Sequence, residues 1–271
     1  MLLHSVWSKI RSWFVKEEIK TKAKRKYLLK RDKKDTRDFV YAAQPRRDLP
    51  SVVDLRPQMP PVYNQGQVGS CSANAICAAH EFEQMKQNLT NVFTPSRLFL
   101  YYNERVVEGQ VDSDSGACLR DGMQTINQQG VCPETEWPYI EERFAEKPTD
   151  ECYRDALQNV ATSYHSVPQV LDQLLGCLAE GYPIICGTQI FESFESDTVA
   201  KTGIIPMPSP VEQCLGGHAV LLAGFSVAKQ CFILRNSWGE KWALGGYAYI
   251  PFSYITNPKL SHDFWTVRMV K

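Results

Sequence analysis

Residues 65–87 read QGQVGSCSANAICAAHEFEQMKQ and place a cysteine where a glycine-containing loop runs into a helix. Ser70 is a suitable N-cap, and Ala, Ile and Phe side chains recur at helical spacing after it. Cys71 therefore lies at the amino end of the predicted helix. The positive end of the helix dipole and the free backbone amides favour a thiolate at this position. We predict a lowered pKa for the Cys71 thiol and a nucleophilic role for its sulfur.

Two distant segments offer partners for this thiol. Residues 216–220 read GGHAV and put His218 at the start of an apolar strand, and residues 234–239 read LRNSWG and put Asn236 near a tryptophan. A cysteine activated by a histidine, which an amide orients in turn, is a known arrangement for acyl transfer. The three segments together predict that chemistry.

The order of predicted elements indicates the fold class. Helices are predicted at 70–87, 95–107 and 119–129, whereas the chain from about residue 182 has short segments rich in Val, Ile, Tyr and Phe. These predicted strands cover residues 182–190, 218–225, 231–235 and 246–255. Helices followed by strands favour an α+β protein with two packed lobes over a doubly wound sheet.

From about Leu49 to the end, the sequence resembles the papain and cathepsin family of cysteine proteases. Residues 50–56 resemble the mature amino terminus of that family, and Gln65 stands six residues before Cys71, as the family's oxyanion glutamine does before its nucleophile. The NSWG motif at 236–239 matches the family's asparagine block. Residues 114–117 and 130–139 are similar to the bacterial and viral branch, which includes xylellain-like proteases.

The resemblance implies a papain-like two-lobe fold with the active-site cleft between the lobes. We place the boundary of the catalytic domain at residue 48, so that it covers 48–271. A helical left lobe would span about 60–155, and an antiparallel, β-barrel-like right lobe would span about 156–271.

The resemblance also implies the catalytic roles. Cys71 would attack the scissile carbonyl as a thiolate, and His218 would hold its proton and later pass it to the leaving amine. Asn236 would fix the orientation of the imidazole. The Gln65 side chain and the Cys71 backbone N–H would form the oxyanion hole. No cofactor or metal is implied.

Substrate binding is implied at a second group of residues. Gly116 would pair its backbone with an extended peptide, because the missing side chain permits a close approach. Trp238 would shield the histidine–asparagine hydrogen bond from water. The main specificity pocket would lie near Ala117 and Gly216, and the small alanine favours a bulky apolar or aromatic side chain. The complete set of predicted substrate-binding residues is Gly116, Ala117, Ser115, Gly217 and Trp238.

Several positions depart from the family pattern. Val68 and Ser72 stand where the family usually has Cys and Trp, so one familiar disulfide cannot form, and Gly217 replaces an aspartate that often precedes the histidine. Eight further cysteines remain, an even number that allows pairing, but no CxxC spacing indicates zinc. We favour buried free thiols, which are typical of a reducing compartment.

The formal net charge of zero hides an uneven distribution. Residues 1–47, here called the arm, carry a charge of +10, and residues 48–271 carry −10. Residues 2–14 have the spacing of an amphipathic helix, and 20–34 are rich in Lys and Arg. The arm could be a solvated charged tail, a prosegment across an acidic body, a membrane-surface helix or a nucleic-acid arm. The absence of any nucleic-acid module disfavours the last.

We interpret the arm as a compact prosegment of a bacterial-type enzyme. It would fold as a helix plus an extended strand, run through the cleft over Cys71, and make the protein a zymogen. If the arm lowers the pKa values of body carboxylates, its docking should fade as pH falls.

The sequence therefore predicts a monomeric cysteine endopeptidase that acts on peptide or protein substrates. Two alternatives stay open: a papain-like binding protein that the basic helix targets to an anionic membrane surface, and another thiol acyl-transferase. We find no secretory signal and no apolar run of about 18 residues. The location therefore stays unknown, either cytoplasmic or outside the cell by a non-classical route.

Overall fold

The computed structural model describes residues 25–43 and 49–271, with seven helices and seven strands in these ranges. The helices are α1 Cys71–Lys86, α2 Arg97–Glu108, α3 Leu119–Gln128, α4 Asp150–Ala156, α5 Leu171–Ala179, α6 Asp197–Thr202 and α7 Phe252–Ile255. The strands are β1 Val52–Asp54, β2 Ala161–Ser166, β3 Ile184–Phe191, β4 Cys214–Ser226, β5 Cys231–Arg235, β6 Tyr247–Pro251 and β7 Ser261–Val270.

The α+β prediction is confirmed, and α1–α3 lie close to their predicted bounds. One predicted strand is partly wrong: residues 246–255 divide into β6 and the short helix α7, which begins after Pro251. The helix predicted in residues 2–14 and the boundary at residue 48 lie outside the described residues. Within the part of the chain that the structure describes, no helix is long and apolar enough to cross a membrane.

The strands form one antiparallel sheet in the order β2-β7-β3-β4-β5-β6, and β1 pairs separately with β4. Strands β2 and β6 end this order, so the sheet is open and does not close into the barrel-like lobe that we predicted. Strand β4 lies in the middle, between β3 and β5. This central position holds His218, near the start of β4, in a well-supported part of the sheet.

Helix α1 packs against the sheet through β4 and β7 and against the helices α2 and α3. Every residue from Cys71 to Gln84 is buried. Its many Ala, Ser and Cys side chains leave little bulk, so neighbouring elements can approach on all sides. Cys71, the first residue of α1, is thereby fixed where the helices meet the sheet.

Arg105 on α2 organises the loop that leads to Gly116. Its side chain is fully buried and donates to the backbone oxygens of Val111 at 2.7 Å and Ser113 at 2.9 Å. The Tyr101 hydroxyl, one turn earlier, donates to Asp114 at 2.6 Å and accepts from the Gly116 N–H at 3.1 Å. The loop from α2 to α3 is therefore anchored to α2 on both sides of Asp114.

Candidate active site

The loop before Cys71 is held by both parts of the molecule. The Gly69 N–H donates to the Asp114 carboxylate at 2.9 and 3.1 Å, and the Gln65 N–H donates to the Ser237 carbonyl at 2.9 Å. Ser70 occupies the N-cap position of α1, but its side chain bonds to the Tyr139 hydroxyl at 2.6 Å instead of capping the helix. The position of Cys71 thus depends on contacts far from it in sequence.

His218 and Asn236 meet as predicted. Nε2 of His218 lies 2.8 Å from Oδ1 of Asn236, and the same Oδ1 accepts from the Ser237 N–H at 2.8 Å. Since an amide oxygen can only accept, Nε2 carries the proton and Nδ1 has the free lone pair. Nδ1 is buried and has no hydrogen-bond partner among the described residues. It is available to take a proton.

The thiol of Cys71 faces the same strand. The backbone N–H of Ala219, the residue after His218, acts to lower the pKa of this thiol, against the larger effect of burial. The ring of Trp238 lies 5.2 Å from the His218 ring, tilted by 31°, and is itself buried against Phe194 and Trp242. The tryptophan ring therefore packs on the imidazole, and its shielding of the histidine–asparagine hydrogen bond from water stays a prediction.

The amide of Gln65 has a fixed orientation that the sequence did not reveal. Its Oε1 accepts from the Ser237 hydroxyl at 2.6 Å, and its Nε2 donates to the Val68 carbonyl at 3.0 Å. One Nε2 hydrogen is left for another acceptor. Ser237 is therefore a positioning residue that sequence reasoning missed, although it is part of the NSWG motif.

The arm crosses this site in an extended conformation, with its backbone bonded to both walls of the cleft. The Leu29 N–H donates to the Gly217 carbonyl at 3.1 Å, and the Lys30 N–H donates to the Ala117 carbonyl at 3.2 Å. The ladder partners are Leu28 with Gly217 and Lys30 with Cys118, both parallel.

Close backbone approach explains two of the predicted glycines. Gly116 has a φ of +66°, and a Cβ there would lie 2.0 Å from the Leu28 carbonyl oxygen. A Cβ on Gly217 would lie 2.6 Å from the Leu29 oxygen. Any side chain at either position would clash with an extended peptide. Ser115, by contrast, makes only a local bond from its hydroxyl to the Gly116 carbonyl, at 3.2 Å.

Leu29 fills a pocket whose lining was unknown from sequence. Its side chain is only 8% exposed. A Cβ built on Gly187 would meet both the Leu29 Cδ2, at 2.8 Å, and the His262 Cε1, at 2.6 Å. Gly187 and His262 therefore line this pocket, because β3 pairs with β7 at that point. The His262 Nδ1 is paired with Asp263 at 2.6 Å.

Burial in this arrangement changes the protonation of Cys71 and His218. Burial raises the pKa of the Cys71 thiol to about 12, and burial lowers the pKa of His218 to about 4. The predicted lowering of the Cys71 pKa is thus wrong for this arrangement, since loss of solvent outweighs the helix dipole. Both groups are neutral while the arm is in place.

Ion pairs attach the arm to the walls of the cleft. Lys26 lies 2.6 Å from Asp114, Arg25 lies 2.8 Å from Glu195, and Lys30 pairs with Glu108. The Arg25 guanidinium also lies 4.2 Å from the Trp238 ring centroid. These contacts match the predicted attraction between a basic arm and an acidic body.

The charges are reversed further along the arm. Arg120 of the body pairs with Asp35 at 2.5 Å and with Asp38 at 3.0 Å. The difference in total charge therefore describes only one end of the contact. All nine cysteines are free thiols in the structure, as we favoured.

Comparison with known proteins places this arrangement in a family. The family model described as "Papain family cysteine protease" matches residues 49–259. The chain belongs to this family. It is a thiol peptidase with the papain-like two-lobe fold.

The crystal structure of xylellain, a cysteine protease from Xylella fastidiosa, is similar to this papain-family chain with a TM-score of 0.84 and 40% identity, over 92% of this chain and 98% of that one. A peptidase C1-like protein of Acanthamoeba polyphaga mimivirus is 41% identical over 261 residues, which are 91% of this chain and 84% of that protein. Mouse cathepsin K is 26% identical over 222 residues, which are 79% of this chain and 63% of cathepsin K.

Proposed function

We propose that this papain-family protease is an endopeptidase made as a zymogen, with Cys71, His218 and Asn236 as its catalytic residues and the arm as its inhibitor. One observation carries the proposal: the backbone of residues 28–30 lies between Gly217 and Ala117, in an arrangement in which Cys71 is fully buried. A substrate peptide would need the same backbone positions. The arm and a substrate therefore exclude each other.

The arm's route supports an endopeptidase. It passes from Arg25 at the Trp238 ring, across the cleft, to Asp32 at Trp265, and on to Tyr41, whose N–H donates to the Ser166 carbonyl at 2.8 Å. A chain that enters the cleft at one end and leaves at the other supports a cleft that is open at both ends. A long substrate can be held on both sides of the cleaved bond.

Catalysis follows from the tautomer of His218. When the arm leaves, the Cys71 proton moves to Nδ1, and the thiolate attacks the substrate carbonyl. Nδ1 then gives the proton to the leaving amine, and a thioester forms as the C–N bond breaks. Water, deprotonated by Nδ1, attacks the thioester, and the thiol is released with its proton restored. Asn236 holds the ring throughout by accepting from Nε2.

The oxyanion formed in both steps needs donors. The free Nε2 hydrogen of Gln65 and the backbone N–H of Cys71 are the proposed pair. We expect Gln65→Ala to lower kcat by about 10²–10³-fold, with a smaller change in KM, because the lost donor acts in the transition state. Hydrolysis of a fluorogenic peptide measures this. Gln67→Ala is the matched control, since the Gln67 side chain is exposed two residues away in the same loop. Equal kcat values for both variants would contradict the role.

Docking of the arm depends on pH through Asp32. Its carboxylate accepts from the Trp265 Nε1–H at 2.7 Å and from the Arg120 N–H at 3.0 Å. Burial, followed by the charge of Asp263, raises the pKa of Asp32 from 3.8 to about 7. The docked arm therefore takes up a proton between pH 7 and 3.8, so this group strengthens docking in acid. That sign is opposite to the one expected from total charge.

His218 acts in the other direction. Its pKa falls on burial from 6.5 to about 4, so acid favours an imidazolium that the covered site excludes. Through His218, docking of the arm therefore becomes weaker as the pH falls from 6.5 to about 4. The two groups oppose each other over most of the range.

We predict that Asp32→Asn removes the Asp32 contribution to the pH dependence of arm docking and leaves the His218 contribution. The rate of Cys71 alkylation by iodoacetamide should be measured for the full wild-type chain and for the variant at each pH. At each pH the wild-type alkylation rate is divided by the variant rate, so that the pH dependence of the thiol chemistry cancels. The ratio should rise about tenfold or more from pH 5 to 8. Only the wild-type arm loses the Asp32 proton over this range, which weakens its docking and exposes Cys71. A constant ratio would refute the assignment.

The membrane-targeted binding protein and the other thiol acyl-transferase stay alternatives. The first depends on residues 1–24, which lie outside the described residues. The monomeric state is likewise a prediction.

A further inference from the structure

A cation is already bound beside the Leu29 pocket: the ammonium group of Lys30 lies on the Glu108 carboxylate. Glu108 ends α2, and its side chain is only 11% exposed. Its other oxygen accepts from the Cys118 N–H at 2.9 Å, which aims the carboxylate at the cleft wall. The position of this charge is therefore fixed by the fold and does not require the arm.

A second carboxylate lies beside the first, since carboxylate oxygens of Glu108 and Asp121 lie within 4.8 Å of each other. Asp121, in the first turn of α3, has a raised pKa because of burial and the nearby charge of Glu108, and the charges of Arg120, Lys33 and Lys30 act against this. Two of these three cations belong to the arm. The third, Arg120, directs its guanidinium to Asp35 and Asp38. Departure of the arm removes Lys30 and Lys33 from the two carboxylates.

The space at this point is large enough for a long side chain. A cavity of about 420 Å³ is lined by Lys30, Lys33, Val107, Glu108, Cys118, Arg120 and Asp121. Adjacent side chains of an extended strand point to opposite faces. Leu29 accordingly enters the Gly187–His262 pocket, while Lys30 turns to the α2–α3 wall.

We propose that Glu108 and Asp121 form a subsite for a lysine or arginine of the substrate, next to the residue that enters the Leu29 pocket. This inference rests on the proposed peptidase function and names its substrate class: peptides with a leucine beside a basic residue. The arm presents this pair as Leu29 and Lys30, so it occupies the subsite by the same chemistry. Val107 and the stem of the basic side chain supply the apolar contact.

A second acidic residue that pairs with the arm is less suited to selecting a basic side chain of the substrate. Asp114 pairs with Lys26, but its oxygens also accept from the Gly69 N–H and the Tyr101 hydroxyl. A change there would disturb the loop before Cys71. Glu108 can be tested more cleanly, because Glu108→Gln keeps an oxygen for the Cys118 N–H and removes only the charge.

The test compares fluorogenic peptides that differ only in lysine against norleucine beside a leucine, in both sequence orders. The full chain is used, because the ratio of kcat/KM for two peptides is independent of the fraction of molecules with an open cleft. We expect wild type to prefer lysine about tenfold in one order, which is the range of a partly buried ion pair. Glu108→Gln should reduce the preference to about twofold or less.

Glu151→Gln is the matched control, since it removes an exposed charge on α4 and should keep the wild-type preference. Equal hydrolysis of lysine and norleucine peptides by wild type would overturn the inference while leaving the peptidase intact. An unchanged preference for lysine over norleucine in Glu108→Gln would also overturn the inference. If the full chain with Leu29→Ala, whose cleft should be open, also failed to cleave every peptide, the proposed endopeptidase function would fail as well, and the subsite with it.

Discussion

Leu29→Ala should raise the rate of Cys71 alkylation in the full chain by about 100-fold, because truncating a buried leucine costs about 3 kcal/mol of docking free energy. Leu29 is 8% exposed and fills the pocket beside Gly187 and His262. Leu28 and Lys30 form the ladder contacts on either side of Leu29, and loss of the Leu29 anchor should release them and open the site. Peptide mass spectrometry after a timed pulse of iodoacetamide distinguishes Cys71 from the other thiols.

Val40→Ala is the control for that experiment. Val40 also belongs to the arm and forms a ladder contact with Ser166, but its side chain is 64% exposed. Its truncation should change the alkylation rate by less than about threefold. Equal rates for the two variants would mean that the pocket does not anchor the arm.

Removal of either reacting group should nearly abolish peptide hydrolysis. We expect Cys71→Ala and His218→Ala, each made in the Leu29→Ala background, to lose about 10⁴-fold or more in kcat/KM, and the double variant to lose little more. The residues act as one unit, because a thiol without a proton acceptor and an acceptor without a thiol are both inactive. Initial rates on a fluorogenic peptide measure the loss.

Cys77→Ala provides the comparison for this pair. Cys77 is a fully buried thiol in the same helix α1, and burial raises its pKa well above the usual value. Its replacement should leave kcat/KM within about threefold of the background, since it makes no contact with His218 in the proposed mechanism. A loss as large as that of Cys71→Ala would show that α1 packing, and not the nucleophile, limits activity.

The proposed catalytic residues could be identified in the sequence because their signals are local. The Cys71 loop, the GGHAV segment and the NSWG motif each occupy a few consecutive residues, and the fold only brings them together. The first helix was also predictable, since its small and apolar side chains have an unbroken helical period.

The sequence predicted a specificity pocket near Ala117 and Gly216, but the lining of the pocket that Leu29 fills could not be predicted, because it depends on pairing between distant strands. Gly187 and His262 are 75 positions apart in the numbering and meet only through the register of β3 with β7. Strand β7 itself interleaves polar and apolar residues and was not predicted. The role of Ser237 was missed for a similar reason, since its partner Gln65 lies 172 residues away.

The arm shows what charge alone can and cannot establish. The opposite totals of arm and body suggested attraction, and Lys26 and Lys30 indeed meet Asp114 and Glu108. The totals could not reveal that Arg120 binds Asp35 and Asp38 of the arm, nor that Asp32 would be buried beside Asp263. Those contacts depend on the path of the chain beyond the cleft.

The most direct test of the arm as an inhibitor compares the full chain with a chain that begins at residue 49, each with and without Cys71→Ala. The measurement is the initial rate of fluorogenic peptide hydrolysis at equal protein concentration, with a thiol-directed epoxide as a further control. The shorter chain should hydrolyse the peptide at least about 100-fold faster than the full chain, in line with the cost of displacing the buried strand. Its Cys71→Ala form should be inactive. Equal rates for the full and shorter chains, or an inactive shorter chain that is folded, would contradict the account.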